Sequence, residues 1–241
     1  MKTVILAGGF GTRFAEETDD KPKPMVKIGD WPIIWHIMSG YASWGHNDFI
    51  IACGYKGDII RDYFTNILSQ SDDPPDWRVD CVDTGLETMT GGRLLRLKDK
   101  LSDSPFMVTY GDGVGDIDVE SLIEFHRSHG KLATVTAVRP PARFGCLELD
   151  NDHVTSFAEK SPASAGWING GFFVFEPEVL SFIEDDTTKL EAAPLVKLAE
   201  QGDLMAFKHH GYWKPMDTLR EKRELEADWR HEDAPWASRK N

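Results

Sequence analysis

The segment Thr3–Ala7 constrains the fold more than any other part of the sequence, because it is apolar or β-branched at every position and ends directly at Gly8 and Gly9. A strand with this pattern has both faces buried, which is typical of a parallel sheet covered by helices on both sides. Parallel neighbours need crossover connections, which are usually helices. The chain is therefore expected to alternate strands and helices in an α/β fold.

The rest of the sequence continues this alternation. Apolar residues at three- and four-residue spacing predict helices over 31–44, 56–68, 92–101 and 118–129, with Asp118 as an N-cap. Short apolar runs predict strands over 48–53, 77–82, 105–110, 131–138, 144–150 and 168–175, and later helices are predicted over 178–184, 190–201 and 219–230. Because the strands after residue 131 lack intervening helices, the sequence predicts a Rossmann-like, doubly wound, mostly parallel sheet with a smaller mixed-sheet half.

Charge and cysteine content narrow the classes of protein. The chain has 241 residues with 27 Lys and Arg against 40 Asp and Glu, a formal net charge of −13. Nucleic acids and anionic membrane surfaces need an extended basic surface, so this balance argues against both as partners. Cys53, Cys81 and Cys146 form no metal-binding or disulfide pattern and fit a reducing compartment. Without a signal-peptide pattern or an apolar run of about 20 residues, a cytoplasmic protein lacking a membrane anchor is expected.

A glycine-rich loop follows the first strand and consists of Gly8, Gly9, Phe10, Gly11, Thr12 and Arg13. At the carboxyl end of a buried strand, glycine N–H groups can approach an anion without obstruction by Cβ atoms, which makes phosphate binding the first hypothesis. The loop lacks the Lys-Ser/Thr of a Walker A motif, and Phe14 stands where a dinucleotide-binding loop has its third glycine. From the glycines alone, a tight turn without a ligand is an equally good interpretation.

Positive charge and two carboxylates accompany this loop. Arg13, Lys21 and Lys23 lie within eleven residues of an otherwise acidic chain, and a polyphosphate ligand would explain that concentration. Asp112 follows a predicted strand and Asp217 precedes a predicted helix. Two carboxylates are what Mg²⁺ usually takes from a protein, with phosphate oxygens and water completing its octahedron. The ordinary interpretations are solvated lysines and aspartates in turns or caps.

Seven short segments form a recognisable set: Gly-Gly-Phe-Gly-Thr-Arg at 8–13, Lys-Pro-Lys-Pro-Met at 21–25, Asp-Thr-Gly at 83–85, Thr-Met-Thr-Gly-Gly-Arg at 88–93, Tyr-Gly-Asp-Gly at 110–113, Asn-Gly-Gly-Phe-Phe at 169–173 and Pro-Met-Asp-Thr at 215–218. Together they resemble the sugar-1-phosphate nucleotidylyltransferases over residues 1 to about 236. The segments 88–93 and 215–218 indicate the cytidylyltransferase branch. The resemblance implies the nucleotide-diphospho-sugar transferase fold. We expect a single domain over 1–241, with 1–138 mainly nucleotide-binding and 139–241 mainly sugar-binding together with the C-terminal helices.

The resemblance also implies substrates, a cofactor and residue roles: CTP and glucose 1-phosphate as substrates, Mg²⁺ as cofactor and a homo-oligomer as the assembly. The implied nucleotide contacts are Leu6, Ala7, Gly8, Gly9, Gly11, Thr12, Arg13, Thr88, Gly92 and Arg93. The implied catalytic residues are Arg13, Lys23 and Asp112, and the implied Mg²⁺ ligands are Asp112 and Asp217. The implied sugar-phosphate contacts are Lys23, Gly145, Glu159, Lys160 and Asn169. Two features depart from the family: Ser161 is extra in its Glu-Lys-Pro motif, and segment 69–76 is shorter, so the subunit number does not transfer.

The implied reaction is an in-line attack by a sugar-phosphate oxygen on the α-phosphorus of the nucleotide, which expels pyrophosphate. A phosphate monoester is mostly a dianion at neutral pH, its second pKa being about 6, so the nucleophile needs no general base. The same chemistry with UTP, dTTP or another sugar 1-phosphate stays open, as does a non-catalytic nucleotide-sugar sensor. His126 and His129 are interpreted as a solvated helix face, and Trp167 and Trp213 as candidate pocket walls.

Overall fold

A computed structural model of the chain describes residues 1–70, 74–140, 146–158, 166–230 and 234–237. Within these ranges the strands are β1 (Thr3–Ala7), β2 (Lys27–Ile28), β3 (Trp31–Pro32), β4 (Asp48–Cys53), β5 (Arg78–Asp83), β6 (Phe106–Tyr110), β7 (Gly113–Gly115), β8 (Ala133–Val138), β9 (Cys146–Asp150), β10 (His153–Ala158), β11 (Ile168–Phe175), β12 (Leu204–Lys208) and β13 (Trp213–Pro215).

The helices of the described ranges are α1 (Ala15–Thr18), α2 (Ile33–Ala42), α3 (Gly57–Gln70), α4 (Thr90–Arg96), α5 (Lys98–Leu101), α6 (Val119–His129), α7 (Ala193–Glu200) and α8 (Leu219–Arg230). Short 3₁₀ turns occupy Thr12–Phe14, Lys23–Met25 and Pro177–Phe182. Among the helices described, none is long and apolar enough to cross a membrane.

Seven strands form the central sheet, in the order β12-β8-β11-β6-β1-β4-β5. All neighbours are parallel except that β11 runs antiparallel to both β6 and β8. The predicted α/β fold with a mostly parallel sheet is thereby confirmed. The antiparallel strand lies inside the sheet, not in an added one, because residues 170–175 are buried at every position and need cover on both faces. The pairs β9–β10, β7–β13 and β2–β3 form small separate sheets.

Alternate residues of the sheet face two cores. On one face, Ile5 and Ile51 pack in a cluster that includes residues of α2, α6 and α8. On the other face, Val4 and Phe173 pack in a cluster with residues of α4, α7 and the turn at Pro177–Phe182. Each fully buried side chain of this kind contributes about 1.5 to 3 kcal/mol. The sheet is therefore a layer packed between helices on both faces, and its carboxyl edge can hold loops in fixed positions.

The element bounds follow local chemistry. Asp118 caps α6 as predicted, since its Oδ1 accepts a hydrogen bond of 2.9 Å from the Ser121 N–H. The predicted helix 92–101 is two helices, α4 and α5, which are separated at Leu97. The predicted helix 178–184 is the 3₁₀ turn Pro177–Phe182. Strand β12 was not predicted, because it is an edge strand whose residues are only half-buried or exposed and lack a marked apolar run.

Candidate active site

A cavity of about 620 Å³ opens at the carboxyl edge of the sheet, where β1 and β6 end and β11 begins. It brings together most of the predicted site residues: Leu6, Ala7, Gly8, Gly9, Gly11, Thr12, Lys23, Thr88, Arg93, Asp112, Asn169 and Asp217. Gly145, Glu159 and Lys160 lie outside the described residues, as does the side chain of Arg13. Their roles stay predictions.

The glycine-rich loop forms one wall of this cavity. Gly11 has φ +65, a left-handed backbone conformation that is strained for residues with a side chain. Its carbonyl accepts a 2.8 Å hydrogen bond from the Phe14 N–H. A Cβ atom on Gly8 would lie 2.1 Å from the Arg93 guanidinium. The loop therefore uses Gly11 to turn and Gly8 to let an arginine approach its backbone.

Lys23, Asp112 and Asp217 meet at the cavity wall. The Lys23 ammonium donates hydrogen bonds of 2.7 Å to Asp112 Oδ2 and 2.6 Å to Asp217 Oδ1. Burial lowers the pKa of Lys23, but the two carboxylates outweigh burial, so its pKa lies above the usual value and the side chain is cationic. Two carboxylates thus converge on a single cation position inside the cavity.

The pairing of β7 with β13 explains why these two aspartates are neighbours although they lie 105 positions apart in the sequence. Gly113, next to Asp112, pairs with Pro215 in this small sheet. The Met216 N–H donates a 2.8 Å hydrogen bond to the Asp112 carbonyl. Backbone pairing, not the side chains, therefore sets the spacing of the two carboxylates.

Arg93 lines the cavity, but its guanidinium is occupied by the protein. It donates to the carbonyls of Cys53 at 3.1 Å, Gly85 at 2.8 Å and Gly8 at 2.9 Å, and to Thr84 Oγ1 at 2.7 Å. These partners belong to the ends of β1 and β4 and to the loop after β5. Arg93 therefore acts as a positioning residue that ties three loops together around the predicted nucleotide site.

Gly92 was predicted to contact the nucleotide, but it is not among the described residues that line the cavity. A Cβ atom there would lie 2.5 Å from the backbone of Asp186. The neighbouring Gly91 approaches Thr188 in the same way, with 2.7 Å from its ideal Cβ to the Thr188 carbonyl oxygen. The two glycines of the 88–93 motif thus let α4 pack closely on the loop before α7.

We expect Gly92→Ala to destabilise the fold by about 1 to 3 kcal/mol, because the backbone of residue 186 must move to admit the methyl group. Urea denaturation measures the effect. Gly40→Ala is the matched control, since Gly40 lies in α2 with nothing within 4 Å of its ideal Cβ, and it should be neutral or stabilising. Equal stability of the two variants would contradict the packing role of Gly92.

Sequence reasoning missed the polar side chains Thr90, Tyr110 and Glu191, which line the cavity together. Of the two tryptophans predicted as walls, Trp213 lines the cavity and donates a 2.7 Å hydrogen bond to the Gly170 carbonyl. Trp167 is absent from the described lining and packs under Arg139, 4.7 Å from its ring centre. Thr90 and Tyr110 belong to the segments 88–93 and 110–113 but were given no role there, and Glu191 lies outside all seven segments, so only the packing of the chain reveals the cluster.

The pair His126 and His129 differs from its prediction. His126 is buried, not solvated, and both rings form 2.8 Å hydrogen bonds with Thr134 Oγ1. Burial, followed by the charges of His129 and Arg127, lowers the pKa of His126 to about 4, so this ring is neutral. The pair serves packing of α6 on the sheet, away from the cavity.

The chain belongs to the nucleotidyl transferase family, whose family model matches residues 2–220. It is 50% identical to the glucose-1-phosphate cytidylyltransferase of Salmonella typhi, over 98% of each chain. It is 39% identical to a probable glucose-1-phosphate cytidylyltransferase of Bacillus subtilis, over 98% of this chain and 99% of the other. The crystal structure of HddC from Yersinia pseudotuberculosis with GMP-PN superposes with a TM-score of 0.74 at 27% identity, covering 95% of this chain and 99% of that one.

Proposed function

We propose that the protein transfers a cytidylyl group from CTP to α-D-glucose 1-phosphate and releases CDP-glucose and pyrophosphate. The substrate pair is supported by the 50% identity to the Salmonella typhi enzyme over nearly the full length of both chains. The observation that carries the chemistry is the Asp112–Lys23–Asp217 cluster in the same cavity as the glycine-rich loop. A loop that suits phosphates and a cation position between carboxylates are the two parts that phosphoryl transfer needs.

The two ends of the cavity suit the two substrates. The glycine-rich loop, Thr88 and the loops bound by Arg93 offer backbone groups for a nucleotide. Asn169 at the start of β11 lies on the other side of β6 and would contact the sugar, together with Gly145, Glu159 and Lys160. Residues 1–138 would therefore mainly bind nucleotide and residues 139–241 mainly sugar, within one domain.

The donor set fits Mg²⁺. One oxygen each of Asp112 and Asp217 already lies within hydrogen-bond distance of a single cation, and carboxylate oxygens are the ligands that this hard ion prefers. Asp112 and Asp217 would hold the ion, with phosphate oxygens and water as its remaining ligands. When bound, Mg²⁺ neutralises charge that develops on the phosphates.

The residues of the chain do the remaining work by binding and orienting. Lys23 stays protonated and would stabilise negative charge at the α-phosphate and on the leaving pyrophosphate. Arg13, whose backbone lies in the turn Thr12–Phe14, would add positive charge at the same place. Holding both substrates in line can lower the barrier by about 7 to 11 kcal/mol, and the sugar phosphate supplies its own nucleophilic oxygen.

A substrate panel tests this proposal. Pyrophosphate release is measured with Mg²⁺ and CTP, UTP, dTTP, ATP or GTP, each combined with glucose, mannose or galactose 1-phosphate. We expect kcat/KM for CTP with glucose 1-phosphate to exceed that of every other pair by about 100-fold or more. Release with another pair would keep the mechanism and change the substrates. Ligand binding by a folded protein without any release would favour the non-catalytic sensor.

The proposal includes a homo-oligomer in the cytoplasm that has neither nucleic acid nor membrane as a partner. The net charge of −13 supports the last two points. Light scattering coupled to size exclusion gives the subunit number, and a mass of one chain would contradict the homo-oligomer.

A further inference from the structure

Three polar residues of the cavity, Thr90, Tyr110 and Glu191, have no role in the proposed mechanism, and their cluster contacts Asn169 through Tyr110. Glu191 accepts a 2.6 Å hydrogen bond from the Tyr110 hydroxyl on one carboxylate oxygen and a 2.7 Å hydrogen bond from Thr90 on the other. The Asn169 amide donates a 3.4 Å hydrogen bond to the same Tyr110 oxygen. All four residues line the cavity, so carboxylate, phenol, hydroxyl and amide groups face the substrates together.

The fold places Glu191 there through a loop that is anchored at several points. Arg96 of α4 forms a bidentate ion pair with Asp186, with contacts of 2.8 and 2.5 Å. The Met89 N–H donates to the Asp186 carbonyl at 2.8 Å, and the Leu190 N–H donates to Thr90 Oγ1 at 2.9 Å. The loop 185–191 is therefore held against α4, and Glu191 at its end has a defined position at the cavity wall.

The chemistry of Glu191 indicates what it binds. A carboxylate has about four acceptor positions on its two oxygens. Tyr110 donates one hydrogen bond to one oxygen of Glu191, and Thr90 donates one to the other. Glu191 is exposed to the cavity, so the remaining acceptors face the substrates. A carboxylate repels phosphates but accepts hydrogen bonds from hydroxyl groups. Asn169 links this cluster to the side of the cavity assigned to the sugar.

We propose that Glu191, positioned by Tyr110 and Thr90, accepts hydrogen bonds from hydroxyl groups of the hexose and thereby helps to select the sugar 1-phosphate. The proposal rests on the proposed function, since it names a residue that reads the sugar substrate of that reaction. It makes Glu191 a specificity residue of the cavity. Without this contact the enzyme should still transfer nucleotide but distinguish sugars less well.

The test is a double-mutant cycle in which the enzyme residue and the substrate hydroxyl are removed separately and together. Wild-type and Glu191→Gln proteins are compared on glucose 1-phosphate and on analogues that each lack one hydroxyl, at saturating CTP. We expect Glu191→Gln to lower kcat/KM for glucose 1-phosphate by about 10- to 100-fold, through the KM of the sugar phosphate, with the KM of CTP unchanged. On the analogue that lacks the hydroxyl bound by Glu191, the two proteins should be equally active, because the contact is already missing.

Two further variants test how Glu191 is positioned. Tyr110→Phe removes the hydroxyl that orients Glu191 and should show a smaller loss with the same dependence on the analogue. Asp186→Asn weakens the Arg96 ion pair that anchors the loop of Glu191, so it should likewise show a smaller loss with the same dependence on the analogue. The melting temperature of each variant reports whether it is folded.

The outcomes are distinct. A loss in Glu191→Gln that is the same for glucose 1-phosphate and for every analogue would overturn the proposal. A loss that disappears with CTP analogues lacking a ribose hydroxyl, and not with the sugar analogues, would overturn it too. The activity of the wild-type protein with CTP and glucose 1-phosphate is measured before any variant is compared. If the wild-type protein is inactive, the proposed function is refuted instead.

Discussion

Asp112→Asn and Asp217→Asn are each expected to lower kcat by about 1000-fold, because either change removes one of two charged oxygens that would hold the metal during the transition state. The loss should fall on kcat and kcat/KM together, since the charge to be stabilised develops only as pyrophosphate leaves. Higher Mg²⁺ concentration should restore part of the activity. Pyrophosphate release over a series of Mg²⁺ concentrations is the measurement.

These variants should stay folded. Both carboxylates are partly exposed, with side chains 34% and 28% accessible for Asp112 and Asp217, so losing one interaction with Lys23 costs little. A change of about 1 kcal/mol corresponds to a shift in melting temperature of about 2 to 4 °C for a chain of this size. Asp103→Asn, a change at an exposed loop residue, is the control. Near-normal turnover in either active-site variant would refute the metal assignment.

Lys23→Met is expected to lower kcat/KM by about 1000-fold, since it removes the buried ammonium that would neutralise charge on the phosphates. The same variant should bind Mn²⁺ more tightly than the wild type in the absence of nucleotide. The ammonium lies 2.7 and 2.6 Å from the two carboxylates and competes with a metal for them. Turnover is measured by pyrophosphate release, and free Mn²⁺ by electron paramagnetic resonance.

Lys27→Met gives the matched control, because this exposed lysine lies four positions along the same segment and outside the cavity lining described above. It should leave both turnover and Mn²⁺ affinity unchanged. Weaker Mn²⁺ binding in Lys23→Met than in the wild type would show that Lys23 holds the carboxylates ready for the metal and does not compete with it.

Strands and helices could be predicted from the sequence where a pattern of neighbouring residues indicates how they are buried. Strand β1 and strand β4 occupy the predicted residues, because a continuous apolar run of five or six residues suits a strand buried on both faces. Helix α8 occupies the predicted residues 219–230. Its exposed face is polar, so the pattern is unambiguous. In the described ranges, the elements that escaped prediction include the four-residue helix α1 and edge strands such as β12, whose residues are half-buried or exposed and carry no marked apolar run.

Site residues could be predicted where the backbone conformation restricts which amino acid is allowed. Glycines at 8 and 11 pointed to the loop at the cavity wall, because few other residues allow its turn at Gly11 and the close approach of Arg93 at Gly8. Gly92 shows the limit of this signal: a glycine indicates a close approach but not what approaches, and the structure places the backbone of Asp186 there. Glu191 has no such constraint on its own backbone, and its neighbours in the sequence do not indicate the cavity.

The sequence by itself determined the α/β class, the family and the chemical types that gather at the cavity, because burial, turns and loop glycines act on residues a few positions apart. The tertiary structure alone decided that β11 lies inside the sheet, that Lys23 bridges Asp112 and Asp217, and that Glu191 meets Tyr110. Those contacts join residues 81 to 194 positions apart. Their geometry depends on strand order and loop packing, which no local pattern encodes.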